Sequence, residues 1–395
     1  MSRISTRWRY RETVLALCTL AFFVTMVGRL AISPIIPDVV ETFGVSNAAV
    51  GLSLSGMWLA YGLSQYPSGI LADRYGERRI VLIAVGGSTL AALAVSITPA
   101  FAPFFLATVL LGAVAGLHYS VATTLLARTY DNVGTAVGVH NTGATIAGLV
   151  TPVAVAWLAV RFGWRIAVAA VALIGIPSTV LFARKVRPTA PRRPETPLRD
   201  RLRVAPALEL LSRPPIAFTL VVAIVSEFAW QGVASFLPTF LIEYQDASTP
   251  LAGALFSTYF VVQGLAQIGV GALSDRIGRD RAIAACMLAG VGGFGVLIAT
   301  SNAPSIVAGI VLVGIGMSFG AALMPRFLRE LSAEEQNAGF GLVRTVYMIV
   351  AALGSVVVGA LADLFGWAVS FGFLATLLAG VVLALTINSL FELEY

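Results

Sequence analysis

Charge is scarce in this chain. Of 395 residues only 12% are charged, while 58% are hydrophobic; an ordinary soluble domain has about a quarter charged. So little charge cannot cover a water-facing surface, which makes lipid the natural solvent. Lysine is scarcer still, with Lys185 standing alone in KVRPTAP. A phosphate-cradling loop needs a glycine-flanked lysine, so a P-loop ATPase is excluded. The two cysteines, Cys18 and Cys286, each fall inside an apolar run, which leaves neither a disulfide framework nor a C-x-x-C metal site and makes the redox compartment unreadable. H-E-x-x-H and G-x-S-x-G are absent, removing the best-marked zinc-protease and serine-hydrolase classes. The net charge is +6, yet the basic residues are scattered between apolar runs without an aromatic-basic patch, so no nucleic-acid partner is expected.

What the chain does have is long apolar runs. Crossing a bilayer as a helix takes about 20 such residues, and twelve runs meet that length. Six precede the middle of the chain: Val14 to Ile36, Val50 to Leu71, Ile80 to Thr98, Pro103 to Ala127, Thr135 to Val160 and Ile166 to Phe182. Six follow it: Ile216 to Leu241, Leu251 to Leu273, Ala282 to Thr300, Pro304 to Met324, Phe340 to Ala362 and Trp367 to Leu390. The basic start (Arg3, Arg7, Arg9, Arg11) before the first run reads as a retained anchor and not a cleaved signal peptide. Cytoplasmic loops are enriched in Lys and Arg. Placing the N-terminus inside puts every basic residue on that side except Arg161 and Arg165, which fall outside, and Arg29 and Arg344, which lie within runs. Both termini are then cytoplasmic and the protein is expected in the cell membrane. The expected segments are a tail 1–13, a six-helix half 14–183, a basic linker 184–215, a second six-helix half 216–390 and a tail 391–395. The proline-rich, charged linker cannot pack a core. It is either a disordered strap or, through Leu198, Leu202, Leu208 and Leu211, a helix lying on the membrane surface.

The two halves repeat one plan. YGLSQYPSGILADRYGERRIV at Tyr61–Val81 returns as QGLAQIGVGALSDRIGRDRAI at Gln263–Ile283, with an ungapped offset of 202. Gly62, Leu63, Gln65, Gly69, Asp73, Arg74, Gly76 and Arg79 match Gly264, Leu265, Gln267, Gly271, Asp275, Arg276, Gly278 and Arg281. Phe162-Gly163-Trp164 likewise recurs as Phe365-Gly366-Trp367, and Gly138 matches Gly341, at an offset of 203. Parallel repeats of this kind are typical of transporters whose cargo site lies near mid-membrane between the halves.

With twelve helices, the 6+6 repeat and G-x-x-x-D-R-x-G-x-x-R after helices two and eight, the chain resembles the major facilitator superfamily over essentially its whole length. The resemblance implies an all-α membrane fold of two six-helix halves, no enzymatic activity, no cofactor and a monomer embedded in lipid. It also implies a gating role for the repeated loop: Asp73 and Asp275 facing helix N-termini or arginines, and Arg74, Arg78, Arg79, Arg276, Arg279 and Arg281 finding acidic partners. Asp131 and the group Glu330, Glu334 and Glu335 are the candidates for those partners; the alternative is that the arginines serve only as membrane-side anchors. Gly116-Leu117-His118-Tyr119-Ser120 looks like the G-x-x-H-P segment of fosmidomycin-resistance-type exporters, with Ser120 in place of proline. The helix-five antiporter signature is partly present, in Gly138 and Pro152. The helix-four arginine common in proton antiporters is absent.

An ionisable residue inside a membrane run is a functional hypothesis in itself. Arg29 lies deep in the first run and Glu227 in the middle of the seventh, beside Trp230 and Gln231. The repeat maps Arg29 onto Gln231, which puts Glu227 at a similar depth and predicts an Arg29–Glu227 pair across one cavity. An anionic substrate group would compete with Glu227 for Arg29, and a proton on Glu227 would release the arginine. The alternatives are that Arg29 reaches outward to the interface and that Glu227 is a structural contact. Arg344, with Tyr347 on the same face, is shallower and could either bind an anion or reach to the interface. His118 and His140, both in membrane runs, could carry a proton or be packing residues. Trp58, Tyr61 and Gln65 form one stripe of helix two, and Tyr259, Gln263 and Gln267 one of helix eight. Such stripes suit a cavity wall or polar helix contacts.

These readings converge on a secondary transporter that works by alternating access, is linked to protons and carries a small organic solute, an anion on the reading of Arg29 and Arg344. Export is slightly favoured by the exporter-like segment, against uptake of a carboxylate or similar anion. A membrane enzyme would need a clustered catalytic constellation, and a non-transporting sensor would usually carry an appended soluble domain.

Overall fold

The computed structural model describes residues 10–191, 210–331, 336–391 and 393, with the backbone alone for 336–342. Arg3, Arg7, Arg9, the linker leucines Leu198, Leu202 and Leu208, and Glu334 and Glu335 lie outside the described residues. The described residues are helical throughout, with no strand.

Twelve helical spans follow one another. In the first half they are α1 (Tyr10–Phe43), α2 (Asn47–Tyr75), α3 (Glu77–Ser96), α4 (Phe101–Ala127), α5 (Val133–Phe162) and α6 (Trp164–Lys185). In the second they are α7 (Pro214–Glu243), α8 (Thr249–Ile277), α9 (Arg279–Ala299), α10 (Ala303–Arg329), α11 (Gln336–Ala351 and Leu353–Phe365) and α12 (Trp367–Leu390). Eleven of them contain a stretch long and apolar enough to cross a membrane. The other, α2, is 29 residues long and carries Trp58, Tyr61, Gln65, Asp73 and Arg74, the residues expected to face polar ground.

The sequence repeats mark the tightest turns. Gly76, Gly163, Gly278 and Gly366 are each the single residue between two helices, with φ of 87°, 83°, 92° and 83°. Side chains other than hydrogen are disfavoured there, which is why glycine stands at both copies of each motif. Five spans are broken along their course, α6 among them at Ala170. α1 passes through a 3-10 turn at Ser33–Ile35, α4 breaks between Gly116 and Tyr119, α10 between Gly316 and Gly320, and α11 at Ala352. The breaks of α4 and α10 are repeat-related. At the first, α4 packs so closely on α2 that a Cβ on Gly116 would lie 2.4 Å from the Tyr61 carbonyl oxygen.

Within the first half α2 packs on α4, and α1 on α5; within the second, α9 packs on α10 and α12. The halves meet along α2 against α11 and α5 against α8. One end of the bundle carries the arginine-rich turns and is here called the arginine face. At the opposite face the halves are joined: the Asp363 carboxylate accepts from the backbone amides of Asn47 (3.1 Å) and Ala48 (2.7 Å). Further in, Ser33 donates to the Ser235 carbonyl at 2.6 Å, and the Val356 amide donates to Ser55 Oγ at 2.9 Å. Cross-half contacts continue to mid-membrane, through Gln65 Nε2 donating to Met348 Sδ (3.3 Å) and Arg344 standing over the Tyr119 ring (5.3 Å). Nearer the arginine face, a Cβ on Gly69 or Gly271 would meet nothing within 4 Å. The structure is thus sealed at the face opposite the arginines.

Candidate functional site

The mid-membrane polar residues gather around two buried arginines, one from each half. Arg29 of α1 is only 4% exposed. Its Nε donates to the Thr25 carbonyl of its own helix (3.2 Å), one Nη reaches Met26 Sδ (2.7 Å), and the guanidinium lies 4.1 Å from the Tyr61 ring centroid and 5.4 Å from that of Trp58. Aromatic faces attract a guanidinium through their quadrupole, so the α2 stripe holds Arg29 without neutralising it. Trp58 in turn meets Trp230 of α7 edge-on at 5.5 Å, which roofs the arginine from the other half.

Glu227 does not pair with Arg29, which corrects the expectation from sequence. The charged group that acts on it electrostatically is Arg344 of α11. Helix geometry explains the difference. The repeat equivalent of Arg29 is Gln231, and Glu227 lies four residues earlier, about 6 Å closer to the arginine face. That drop removes it from the level of Arg29 and leaves it within the electrostatic reach of Arg344. Among the described residues no closed ion pair joins Glu227 and Arg344, and the Arg344 Nε is buried without a hydrogen-bond partner. Tyr347, Tyr61 and Tyr119 share the electrostatic surroundings of Arg344. Glu227 and Tyr347 also line a small cavity with Phe319, Leu323 and Phe327.

Several candidates have other employment. Gln263 donates to the Met317 carbonyl (2.8 Å), satisfying an oxygen that the break in α10 leaves without its helical partner. Gln65 is spent on Met348, and Gln267 is exposed. Gln231 is fully buried with both amide atoms lacking a partner, as is the Tyr259 hydroxyl. His118 and His140 form a stacked group inside the first half: ring centroids 5.3 Å apart, with Phe22 at 5.5 and 4.9 Å and Tyr119 at 6.0 Å from His140. Among the described residues the ring nitrogens of His118 have no partner, and the backbone group that His140 meets is that of Cys18. Tyr119 is the functional contact that sequence reasoning passed over. It links this group to Arg344, and its only sequence signal is its place after His118 at the break of α4.

The repeated turn also departs from expectation. Arg78 finds carbonyl groups and not an acid: its Nε donates to Val186 (2.7 Å) and an Nη to Ala183, while its backbone amide donates to Thr189 Oγ1 (3.1 Å). The helix end at Lys185 leaves those carbonyls unpaired. Arg74 lies over Tyr75 at 5.5 Å, and Arg79, Asp275, Arg276 and Arg281 are exposed. The ion pairs run the other way. Glu77 at the start of α3 takes Arg128 at the end of α4 (2.5 Å), and Asp280 at the start of α9 takes Arg326 at the end of α10 (2.6 Å). An acid in a first helical turn and a base in a last turn both agree with the helix dipole. The expected partner Asp131 is exposed.

The arrangement resembles known carriers. An uncharacterized MFS-type transporter of Methanocaldococcus jannaschii is 21% identical over 93% of this chain and 96% of its own length. The hexuronate transporter of Bacillus subtilis is 21% identical over 67% of this chain, which spans 64% of that relative. Among solved structures, a nucleoside transporter superposes with a TM-score of 0.82 at 13% identity, covering 96% of this chain and 99% of that one, and so shares the fold. The family model described as Major Facilitator Superfamily matches residues 18–252 and 219–391. The chain belongs to the major facilitator superfamily and is a multi-pass membrane transporter, not an enzyme.

Proposed function

We propose that this transporter carries a small organic anion together with a proton. Arg29 and Arg344 act as the anion contacts, Glu227 as the proton site, and the arginine face lies in the cytoplasm in accord with the positive-inside rule. The observation that carries the reading is the buried charge at mid-membrane: among the described residues, two arginines, one from each half, stand against one carboxylate, with no second acid beside Arg29. A buried cation without a counter-charge is expensive, and an arriving carboxylate relieves that cost. A proton on Glu227 removes the charge that Arg344 faces and leaves Arg344 to the substrate. Anion and proton then bind together, which favours uptake by symport over export. The hexuronate carried by the Bacillus subtilis relative is a carboxylate, in keeping with this chemistry. Alternating access follows from the sealed opposite face: rocking the halves about the mid-membrane site would open it and close the arginine face.

The test is transport by the purified protein in liposomes, with a panel of carboxylates and an imposed pH gradient. Accumulation of a carboxylate driven by an inward proton gradient is expected. Uptake of neutral or cationic solutes in preference to anions, or movement indifferent to the gradient, would overturn the reading.

A further inference from the structure

A cleft of about 950 Å³ opens at the arginine face of the second half, between the α8–α9 turn and the ends of α10 and α12. Its walls are of two kinds. Leu385, Leu390 and Ile277 are aliphatic, while Arg279, Arg281 and Arg329 supply positive charge. The fourth arginine of the lining, Arg326, is already engaged by Asp280 and by Thr219 Oγ1. Asp275 and Glu330 are the remaining acids, so the arginines outnumber them once the Arg326–Asp280 pair is set aside. One Nη of Arg279 is buried and has no hydrogen-bond partner among the described residues. A buried guanidinium donor without a partner is costly, which makes it a demand for an acceptor.

The first half shows what fills the corresponding place. There the chain leaving α6 folds back under the α2–α3 turn. Val186 is buried, Arg78 holds the Ala183 and Val186 carbonyls, and Thr189 packs so closely that a Cβ on Gly76 would lie 2.4 Å from its carbonyl oxygen. In the second half α12 continues as helix to Leu390, past the repeat equivalent of Lys185, and a Cβ on Gly278 would meet nothing within 4 Å. The two halves share one fold, but among the described residues only the first closes this site with its own backbone.

We propose that the cleft of the second half binds the phosphate of an anionic phospholipid from the leaflet at the arginine face. Arg279 and Arg281 donate to the phosphate oxygens, and the acyl chains leave along the exposed Leu390 and Ile277. Guanidinium groups match phosphate oxygens in pairs, and basic pockets between membrane helices are suited to anionic headgroups. The aliphatic wall favours a lipid over a free phosphate, because a free ion gains nothing from Leu390 and Ile277.

The experiment is native mass spectrometry of the full-length protein. It is extracted from vesicles of phosphatidylcholine with an equal share of phosphatidylglycerol, with and without millimolar inorganic phosphate. Phosphatidylglycerol should be retained over phosphatidylcholine. Arg281→Gln, at an exposed position, should lower that retention about fivefold, the effect of one arginine near a charged surface; Arg279→Gln should lower it further. Arg79→Gln, the equivalent of Arg281 in the closed first-half site, should change nothing. Equal retention of the two lipids by the unaltered protein would overturn the proposal, as would phosphatidylglycerol lost fully to inorganic phosphate. The same holds for an Arg281→Gln protein that keeps its helical content and its lipid.

Discussion

The Asp363 carboxylate of α11 caps the first amides of α2, accepting from Asn47 and Ala48 at 3.1 and 2.7 Å. One half of the molecule thereby satisfies the free helix terminus of the other, and does so only while the face opposite the arginines is closed. Removing a side-chain cap costs about 1 kcal/mol. Asp363→Ala should therefore shift the balance between closed and open forms of that face about fivefold toward open. The check is the labelling rate of a cysteine introduced at Ser33, which the closed face buries. An unchanged rate would mean that the cap does not contribute to closure.

Glu227→Gln fixes the side chain in a neutral form and leaves Arg344 without its charged neighbour. On the proton-linked reading, uptake by the native protein falls as pH rises, because the ionised Glu227 then competes with the substrate for Arg344. The variant should lose this pH dependence and the ability to concentrate substrate on a proton gradient, yet retain exchange of substrate across the membrane. Exchange and gradient-driven uptake in the same liposomes measure both.

Arg29 is held by the faces of Tyr61 and Trp58, a geometry that suits a planar guanidinium and not an ammonium. Arg29→Lys should raise the half-saturating substrate concentration by at least tenfold, a loss of about 1.4 kcal/mol. Tyr61→Leu should produce a similar change, while Tyr61→Phe, which keeps the aromatic face, should be much milder. Concentration dependence of uptake separates the three.

The two repeat-related ion pairs should differ in stability. The Arg326 side chain is 7% exposed and also donates to Thr219, whereas that of Arg128 is 38% exposed. Breaking a buried pair costs about 3–5 kcal/mol, an amount reduced here because Asp280 is partly exposed, so Asp280→Asn should cost about 2 kcal/mol. Arg128→Ala leaves the Glu77 carboxylate, whose side chain is 3% exposed, without its arginine and should cost about 3 kcal/mol. Thermal unfolding in detergent should show Arg128→Ala to be the less stable of the two variants.

Much of this fold was legible in the sequence, and for local reasons. Apolar runs of membrane length specify helices because an unpaired backbone cannot enter lipid. Gly76, Gly163, Gly278 and Gly366 specify turns because each takes a positive φ between two helices. The offsets that relate them announced two halves, and Arg29, Glu227 and Arg344 stood out because charge is rare within such runs. What could not be read was which of these residues meet. Gln263 looked like a cavity residue until the break in α10 placed a free carbonyl beside it. Arg78 looked like the partner of an acid until the end of α6 presented its carbonyls.

The sequence by itself determined the solvent of this protein, the number of its spans, the symmetry of its halves and the small set of charges inside the membrane. Each of those follows from composition and from spacing along the chain. Only the tertiary structure decided that Glu227 answers Arg344 while Arg29 rests on Tyr61 and Trp58. Pairing across helices depends on relative depth and rotation, and a displacement of four residues, about 6 Å, is enough to exchange one arginine for another.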